Sequence, residues 1–336
     1  MLSRESEVSG GTRRERLRSL LGLPEAGGDR PPSALVRVPQ TSSAEPADAP
    51  IHAAGEASPD TADDVSPHAV DEASINTADG DEIPAFLLRP IPDRATGAAV
   101  VLIAGHGRGI DDLVATDPVD EYHDGLAHKF VSAGFTVLCP EMISFGRRRF
   151  PLPDGSEPYA ETESSCGVDA VRHLMHGAPL MGARVADALA AVDALRQLGG
   201  VDPQRVAVAG GSGGGAVSLL AAAADSSISA ALVATYFCSF EASLCSIRHC
   251  PCNIIPGILP EMEMADIAAL IAPRPLILEA GERDHIFPIA ATRDSFAQLA
   301  PVWEALDAVP PELVVTDGGH AFRAERSLSA LAERIS

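Results

Sequence analysis

The chain has 336 residues, 46% of them hydrophobic, which is enough for one large domain or two small ones built around a substantial core. Its formal net charge is −22. Nucleic acid and anionic membrane surfaces both attract basic patches, so neither is an expected partner, and no apolar run approaches the roughly 20 residues of a membrane helix.

In chain order, RRERLRSLLGL (13–23) reads as a short amphipathic helix ended by Pro24. Residues 25–75 are rich in Ala, Pro, Ser, Asp and Glu, and residues 41–82 hold eleven acids with no Lys or Arg. Such a composition buries too little to offset ordering entropy, so residues 1–73 are expected to be a helix plus an acidic, disordered linker, with a catalytic domain over 74–336. Arg13-Arg14 is followed by an apolar stretch of only Leu20–Leu23, far short of a secretory signal. The six cysteines of so long a chain are no disulfide framework, and a cytoplasmic protein with reduced thiols is expected.

Two runs, 75–77 and 83–88, flank Asp79-Gly80, a hairpin signal. Strands then alternate with helices. AAVVLIA (98–104) is apolar throughout, as in a strand buried on both faces. A helix is expected over 121–133, a strand at FTVLC (135–139), and a helix over 184–198 from the spacing of Val185, Leu189, Val192 and Leu195. RVAVA (205–209) leads into a small-residue helix over 214–224. Strands at 230–234, 275–280 and 312–316 follow, with helices at 290–300 and 324–334. This alternation predicts an α/β fold with a mostly parallel central sheet covered on both faces. The stretches 146–180 and 238–262 break the pattern and are expected to form loops, one of them a lid, beyond the strand ends.

The sharpest motif is Gly210-Gly211-Ser212-Gly213-Gly214, a G-x-S-x-G between the strand RVAVA and a helix. A sharp strand-to-helix turn exposes the central hydroxyl at the sheet's edge, which makes Ser212 the candidate nucleophile, and the Gly213 N–H can face a developing oxyanion. The rival reading, a phosphate-binding loop, would want Lys then Ser or Thr after the last Gly; Ala216-Val217 follow instead.

A serine needs a base oriented by an acid, in this setting in the order Ser, acid, His. His320 follows the strand ELVVT and is the candidate base. Asp284 follows PLILEA through Gly281-Glu282-Arg283 and is the candidate acid, preferred over Glu282 and Glu279 because the loop needs its acid past the Gly turn. The loop Gly105-His106-Gly107-Arg108-Gly109 should supply the second oxyanion donor, the backbone N–H of His106, with Gly107, Arg108 and Phe237 as candidate substrate contacts. His249-Cys250-Pro251-Cys252, with Cys245 nearby, lacks the paired C-x2-C spacing of structural zinc, so a packed loop with free thiols is expected, with no metal and no cofactor. Arg147-Arg148-Arg149 reads as a solvated loop rather than a carboxylate site.

These residues resemble those of α/β-hydrolases, and in particular the branch holding bacterial acetyl xylan esterases, cephalosporin-C deacetylase-like enzymes and dienelactone hydrolase-like proteins. The resemblance covers about residues 83–336, with an echo at RRERLRSLLGLP (13–24). It is carried by VVLIAGHGRG (100–109), GFTVLCPEMISFGRR (134–148), GARVADALAAVDALRQLGGVDPQRVAVAGGSGGG (182–215) and DIAALIAPRPLILEAGERDHIFP (266–288). It implies Ser212 as nucleophile, Asp284 as acid, His320 as base, and backbone N–H groups of His106 and Gly213 as the oxyanion hole. Where the family often has His-Gly before the oxyanion residue, this chain has Ala104-Gly105. The stretch 238–262 resembles a loop of unassigned bacterial members.

The expected activity is serine-dependent hydrolysis of a small carboxylic ester, such as an acetyl ester. Thioester hydrolysis, acyl transfer or C–C bond hydrolysis with the same three residues is the alternative, and a non-catalytic scaffold using the acidic tail is the reading from another class. The expected partner is a small-molecule ester or acyl substrate.

Overall fold

The computed structural model describes residues 2–25, 32–37, 68–115, 123, 125–151, 159–160 and 162–335. Nine strands form one sheet: β1 (Ala34–Arg37), β2 (Val70–Asn76), β3 (Glu82–Leu88), β4 (Ala99–Ile103), β5 (Thr136–Pro140), β6 (Val206–Gly211), β7 (Ala231–Ala234), β8 (Leu276–Gly281) and β9 (Glu312–Thr316). Their order is β1-β2-β3-β5-β4-β6-β7-β8-β9. The β1, β2, β3 and β5 neighbours pair antiparallel, and every pair from β5-β4 through β8-β9 is parallel.

Ten α-helices are described: α1 (Leu2–Leu21), α2 (Ile110–Val114), α3 (Leu126–Ser132), α4 (Cys166–Met175), α5 (Leu180–Arg196), α6 (Gly213–Ala224), α7 (Met264–Ala269), α8 (Ile289–Phe296), α9 (Ala300–Glu304) and α10 (Arg326–Ile335). The central strands are buried on both faces, which is why they read as continuous apolar runs. Val101 and Ile103 of β4 face a core shared with α1, α5 and α6, while Val100 and Leu102 face one shared with α3 and α10. All twelve residues of α6 are buried. Its glycines and alanines allow that depth: a Cβ on Gly214 would lie 2.0 Å from the Ile103 carbonyl oxygen.

The amino-terminal segment differs from its expected description. The helix begins at Leu2 rather than at residue 13, and Leu17 and Leu21 are fully buried in the main core. It ends where Gly22 takes φ +69° and the Leu23 N–H bonds the Arg18 carbonyl, a helix-terminating turn that only a residue tolerant of positive φ supports. Two strands also lie where a linker was expected: β1 falls inside it and β2 begins at Val70. Their short sequences carry little pattern of their own; β1 is positioned by its antiparallel register with β2. The rest of the linker, residues 26–31 and 38–67, lies outside the described residues.

Candidate active site

Ser212 stands between β6 and α6 with φ 51° and ψ −118°. A non-glycine residue at positive φ is strained, and the surrounding structure must hold it there. Its N–H donates to the Ala234 carbonyl (3.0 Å) and to Thr235 Oγ1 (3.2 Å), both at the end of β7. The strain turns the Ser212 hydroxyl toward His320, with Nε2 3.0 Å from Oγ.

His320 and Asp284 come together because the loops after β8 and β9 are tied. Glu282 N–H donates to the Thr316 carbonyl (2.8 Å) and Arg283 N–H to that of Gly318 (2.9 Å). A Cβ on Gly281 would fall 2.0 Å from the Gly319 carbonyl oxygen, so the two loops can lie this close only with glycine there. His320 Nδ1 is 2.7 Å from Asp284 Oδ2. The other carboxylate oxygen, Oδ1, accepts the N–H groups of Ile286 (2.8 Å) and Phe287 (3.1 Å). Asp284 is buried and fixed, and the ring of His320 stacks on Phe287 at 5.8 Å.

The two rival acids have other work. Glu282 pairs with Arg293 (2.7 Å) on the surface. Glu279 is buried and accepts from Arg323 N–H (2.6 Å), Ala324 N–H (3.2 Å) and the Ser327 hydroxyl, which anchors the chain just past His320. Burial pushes its carboxyl above the usual range.

His106 sits on the loop after β4, against the nucleophile turn. A Cβ on Gly213 would lie 3.2 Å from His106 Nδ1. Gly213 opens α6, where N–H groups have no intrahelical acceptor. A cleft of about 520 Å³ joins these parts, lined by His106, Ser212, His320, Ile247, Arg248, His249, Cys250, His285 and Ile286. Residues 247–250 belong to the stretch 238–262, so that loop borders the cleft; none of the described residues of 146–180 does.

The three candidate substrate contacts do not reach the cleft. Gly107 is packed against Asp112, whose Oδ2 would lie 2.2 Å from an added Cβ. Arg108 spends its charge on the same acid, with Nε 2.6 Å from Asp112 Oδ1 and its backbone N–H 2.7 Å from Oδ2. Phe237 is buried and its carbonyl accepts from Thr292 Oγ1 (3.0 Å). The lining residues Ile247, Arg248, His285 and Ile286 were missed. His285 and Ile286 directly follow Asp284, which was a usable signal; the 247–250 loop offered no periodicity.

The arginine run also differs from a solvated loop. Arg148 is mostly buried and reaches Asp187 (2.5 Å) and the Glu141 carbonyl (2.9 Å). Glu141 is itself buried and accepts N–H bonds from Ile110 (3.3 Å) and Arg147 (3.2 Å), joining the loops after β4 and β5. Burial pushes its carboxyl up to about 7.

The thiol loop is assembled differently from its expected form. Cys250 and Cys252 gather with Cys166, the first residue of α4, and with His106. Cys245 is exposed and outside the group, and His249 faces Asn253. No disulfide is formed by any of the six cysteines. Bonding to Cys250 and Cys252 draws the Cys166 thiol far below the ordinary cysteine range.

A parallel sheet with a strained serine turn after β6, and an acid and a histidine on loops after β8 and β9, defines an α/β-hydrolase. Residues 88–333 match the model of the Dienelactone hydrolase family, and the chain belongs to that family. That family is one of hydrolases. Solved structures share the fold. An acetyl xylan esterase from Paenibacillus sp. R4 is 17% identical with a TM-score of 0.56, over 95% of this chain and 92% of that one. A glucuronoyl esterase from Solibacter usitatus is 16% identical with a TM-score of 0.54, over 96% and 92%. An esterase from Pyrococcus furiosus is 15% identical with a TM-score of 0.51, over 85% and 96%. No curated protein matches the chain. Among the described residues no helix is long and apolar enough to cross a membrane.

Proposed function

We propose that the protein is a serine esterase that cleaves a small carboxylic ester, an acetyl ester in the simplest case, through an acyl-enzyme. The observation that carries this reading is the hydrogen-bonded run from Ser212 Oγ through His320 to Asp284. His320 Nε2 takes the Ser212 proton as Oγ attacks the ester carbonyl. Asp284 holds the Nδ1–H tautomer and stabilises the imidazolium that forms. The oxyanion is received by the backbone N–H groups of His106 and Gly213. Collapse of the tetrahedral adduct breaks the ester C–O bond, and His320 returns the proton to the leaving alcohol. Water, deprotonated by the same imidazole, then releases the acid and restores Ser212.

Two further observations support a small, partly apolar substrate. The cleft is modest, and Ile247 and Ile286 line it beside the histidines. The likeness in fold to an acetyl xylan esterase favours an acetyl group. Unpaired cysteines support a reducing, cytoplasmic setting.

The test needs no substrate. A fluorophosphonate probe should label wild type at Ser212, located by peptide mass spectrometry, and should not label Ser212→Ala. An ester panel from acetyl upward then ranks acyl groups. A folded wild type that resists the probe and cleaves no ester overturns the reading.

A further inference from the structure

We infer that His106, Cys166, Cys250 and Cys252 form a closed, four-ligand site for one zinc(II) ion at the edge of the cleft. Nothing in the hydrolysis described above requires such a site.

The four donor atoms, one imidazole nitrogen and three sulfurs, all lie within 4.8 Å of one another. His106 Nε2 is 3.5 Å from both Cys166 Sγ and Cys252 Sγ. A tetrahedral zinc with Zn–S of about 2.3 Å and Zn–N of about 2.1 Å sets its N···S edges at about 3.6 Å and its S···S edges at about 3.8 Å. The donor cage is thus already near the size the ion needs. One His and three Cys is a donor set of structural zinc, and four protein ligands leave no open position for water.

A second observation is independent of the cage. Arg184 on α5 is fully buried, and its Nη1 has no hydrogen-bond partner. Its guanidinium donates to the Ile143 carbonyl (3.0 and 2.8 Å) and to Cys166 Sγ (3.1 Å). A buried cation needs a counter-charge. Zinc with three thiolates and a neutral imidazole carries one net negative charge, which Arg184 balances. Asn253 adds a donor to Cys252 Sγ (3.4 Å), an outer hydrogen bond of the kind that orients metal ligands.

The ion would tie three chain segments that no strand joins: the loop after β4, the start of α4 and the loop at 250–252. His106 would then serve twice, through its ring toward the metal and through its backbone toward the cleft. The role assigned is structural, and no reaction step passes through the ion.

The full-length protein, purified without chelator, should carry one zinc per chain by inductively coupled plasma mass spectrometry. After the metal is stripped under reducing conditions, cobalt(II) added to wild type should produce the intense d–d bands of a tetrahedral thiolate site together with sulfur-to-cobalt charge transfer. Cys166→Ser/Cys252→Ser should lose both signals, whereas Cys245→Ser should keep them. Because wild type alone gives the cobalt spectrum, a double variant that fails to fold leaves the test intact. Reduced wild type that holds substoichiometric zinc and gives no tetrahedral cobalt spectrum overturns the assignment. So does a native mass short by two hydrogens, traced to a disulfide among these cysteines, or stoichiometric iron or copper in place of zinc. These readouts use no ester, so loss of the esterase reading would not touch them.

Discussion

Two polar clusters meet at the loop after β4, and they are built on different supports. The Ser212, His320 and Asp284 cluster hangs from the ends of three strands of one parallel sheet, β6, β9 and β8, with short loops bonded to one another. The His106, Cys166, Cys250 and Cys252 cluster has no strand beneath it beyond β4; it is gathered from a loop, a helix start and a second loop. The difference shows where precision comes from. Sheet register fixes the first cluster through main-chain hydrogen bonds, so its side chains need only point correctly. The second depends on its own side chains, and on Glu141 and Arg184, to hold its segments together.

The largest expected effect separates the clusters outright. Ser212→Ala should lower kcat for ester hydrolysis by about 10⁴–10⁶ and Asp284→Asn by about 10⁴, while neither changes the metal content of the protein. Steady-state rates on an acetyl ester and elemental analysis check both halves; a serine variant with near-normal rate breaks the comparison.

Next come changes to the scaffold of the strand-end cluster. Gly214→Ala forces a Cβ to 2.0 Å from the Ile103 carbonyl and should cost about 3 kcal/mol or more, read by urea unfolding. Leu17→Ala, on the helix that packs under α6, should cost about 2–5 kcal/mol by the same measurement, for the lost burial and the cavity left behind. A loss under 1 kcal/mol would mean that α1 is only loosely docked.

A pH experiment sharpens the loop-tied side. Burial raises the Glu141 carboxyl from 4.5 to about 7. The folded state therefore holds this proton more tightly than the unfolded chain does. Its contribution to stability is fully present below about pH 4.5 and is lost as pH climbs through about 7. Glu141→Gln cannot ionise, so its unfolding free energy relative to wild type should rise by about 2–3 kcal/mol from pH 4.5 to pH 8. A flat difference would mean that the carboxylate is charged and well solvated by its N–H partners. Asp187, also raised by burial, to about 6, is present in both proteins and cancels. The smallest effect is expected at the excluded thiol: Cys245→Ser should shift stability by no more than about 0.5 kcal/mol.

The two clusters were unequally legible. Ser212, Asp284 and His320 each follow an apolar run within a few residues, so strand patterning and chain order sufficed to bring them together. The acid was harder to name, because Glu279, Glu282 and Asp284 sit in one short stretch; what separates them is which oxygen is already engaged, and only the folded loops decide that. The thiol cluster left a single local trace, Cys250-x-Cys252. Its other members lie on segments whose approach depends on how α4 packs against the 250–253 turn, and no spacing encodes that. Arg108 illustrates the opposite error: a glycine-rich loop advertises an arginine for the cleft, but Asp112, four residues on, claims it. The strand β1 was hidden because its four residues pair with β2 across a stretch whose composition reads as unstructured.

The arginines of the amino-terminal helix give α6 a second anchorage. Arg14 donates to the Ala223 carbonyl (2.9 Å), Arg18 to that of Ala224 (3.1 Å), and Arg274 to that of Ala222 (2.7 Å). The carbonyls at the far end of the helix that Ser212 heads are thus met by three cations, two of them from a region remote in sequence. Twelve residues at 1.5 Å each make a beam of about 18 Å, pinned at the serine by strand ends and at the other end by guanidinium groups. A gene shortened to begin after residue 25 would take away no atom of the cleft, yet it would leave that beam's far mount on Arg274 alone.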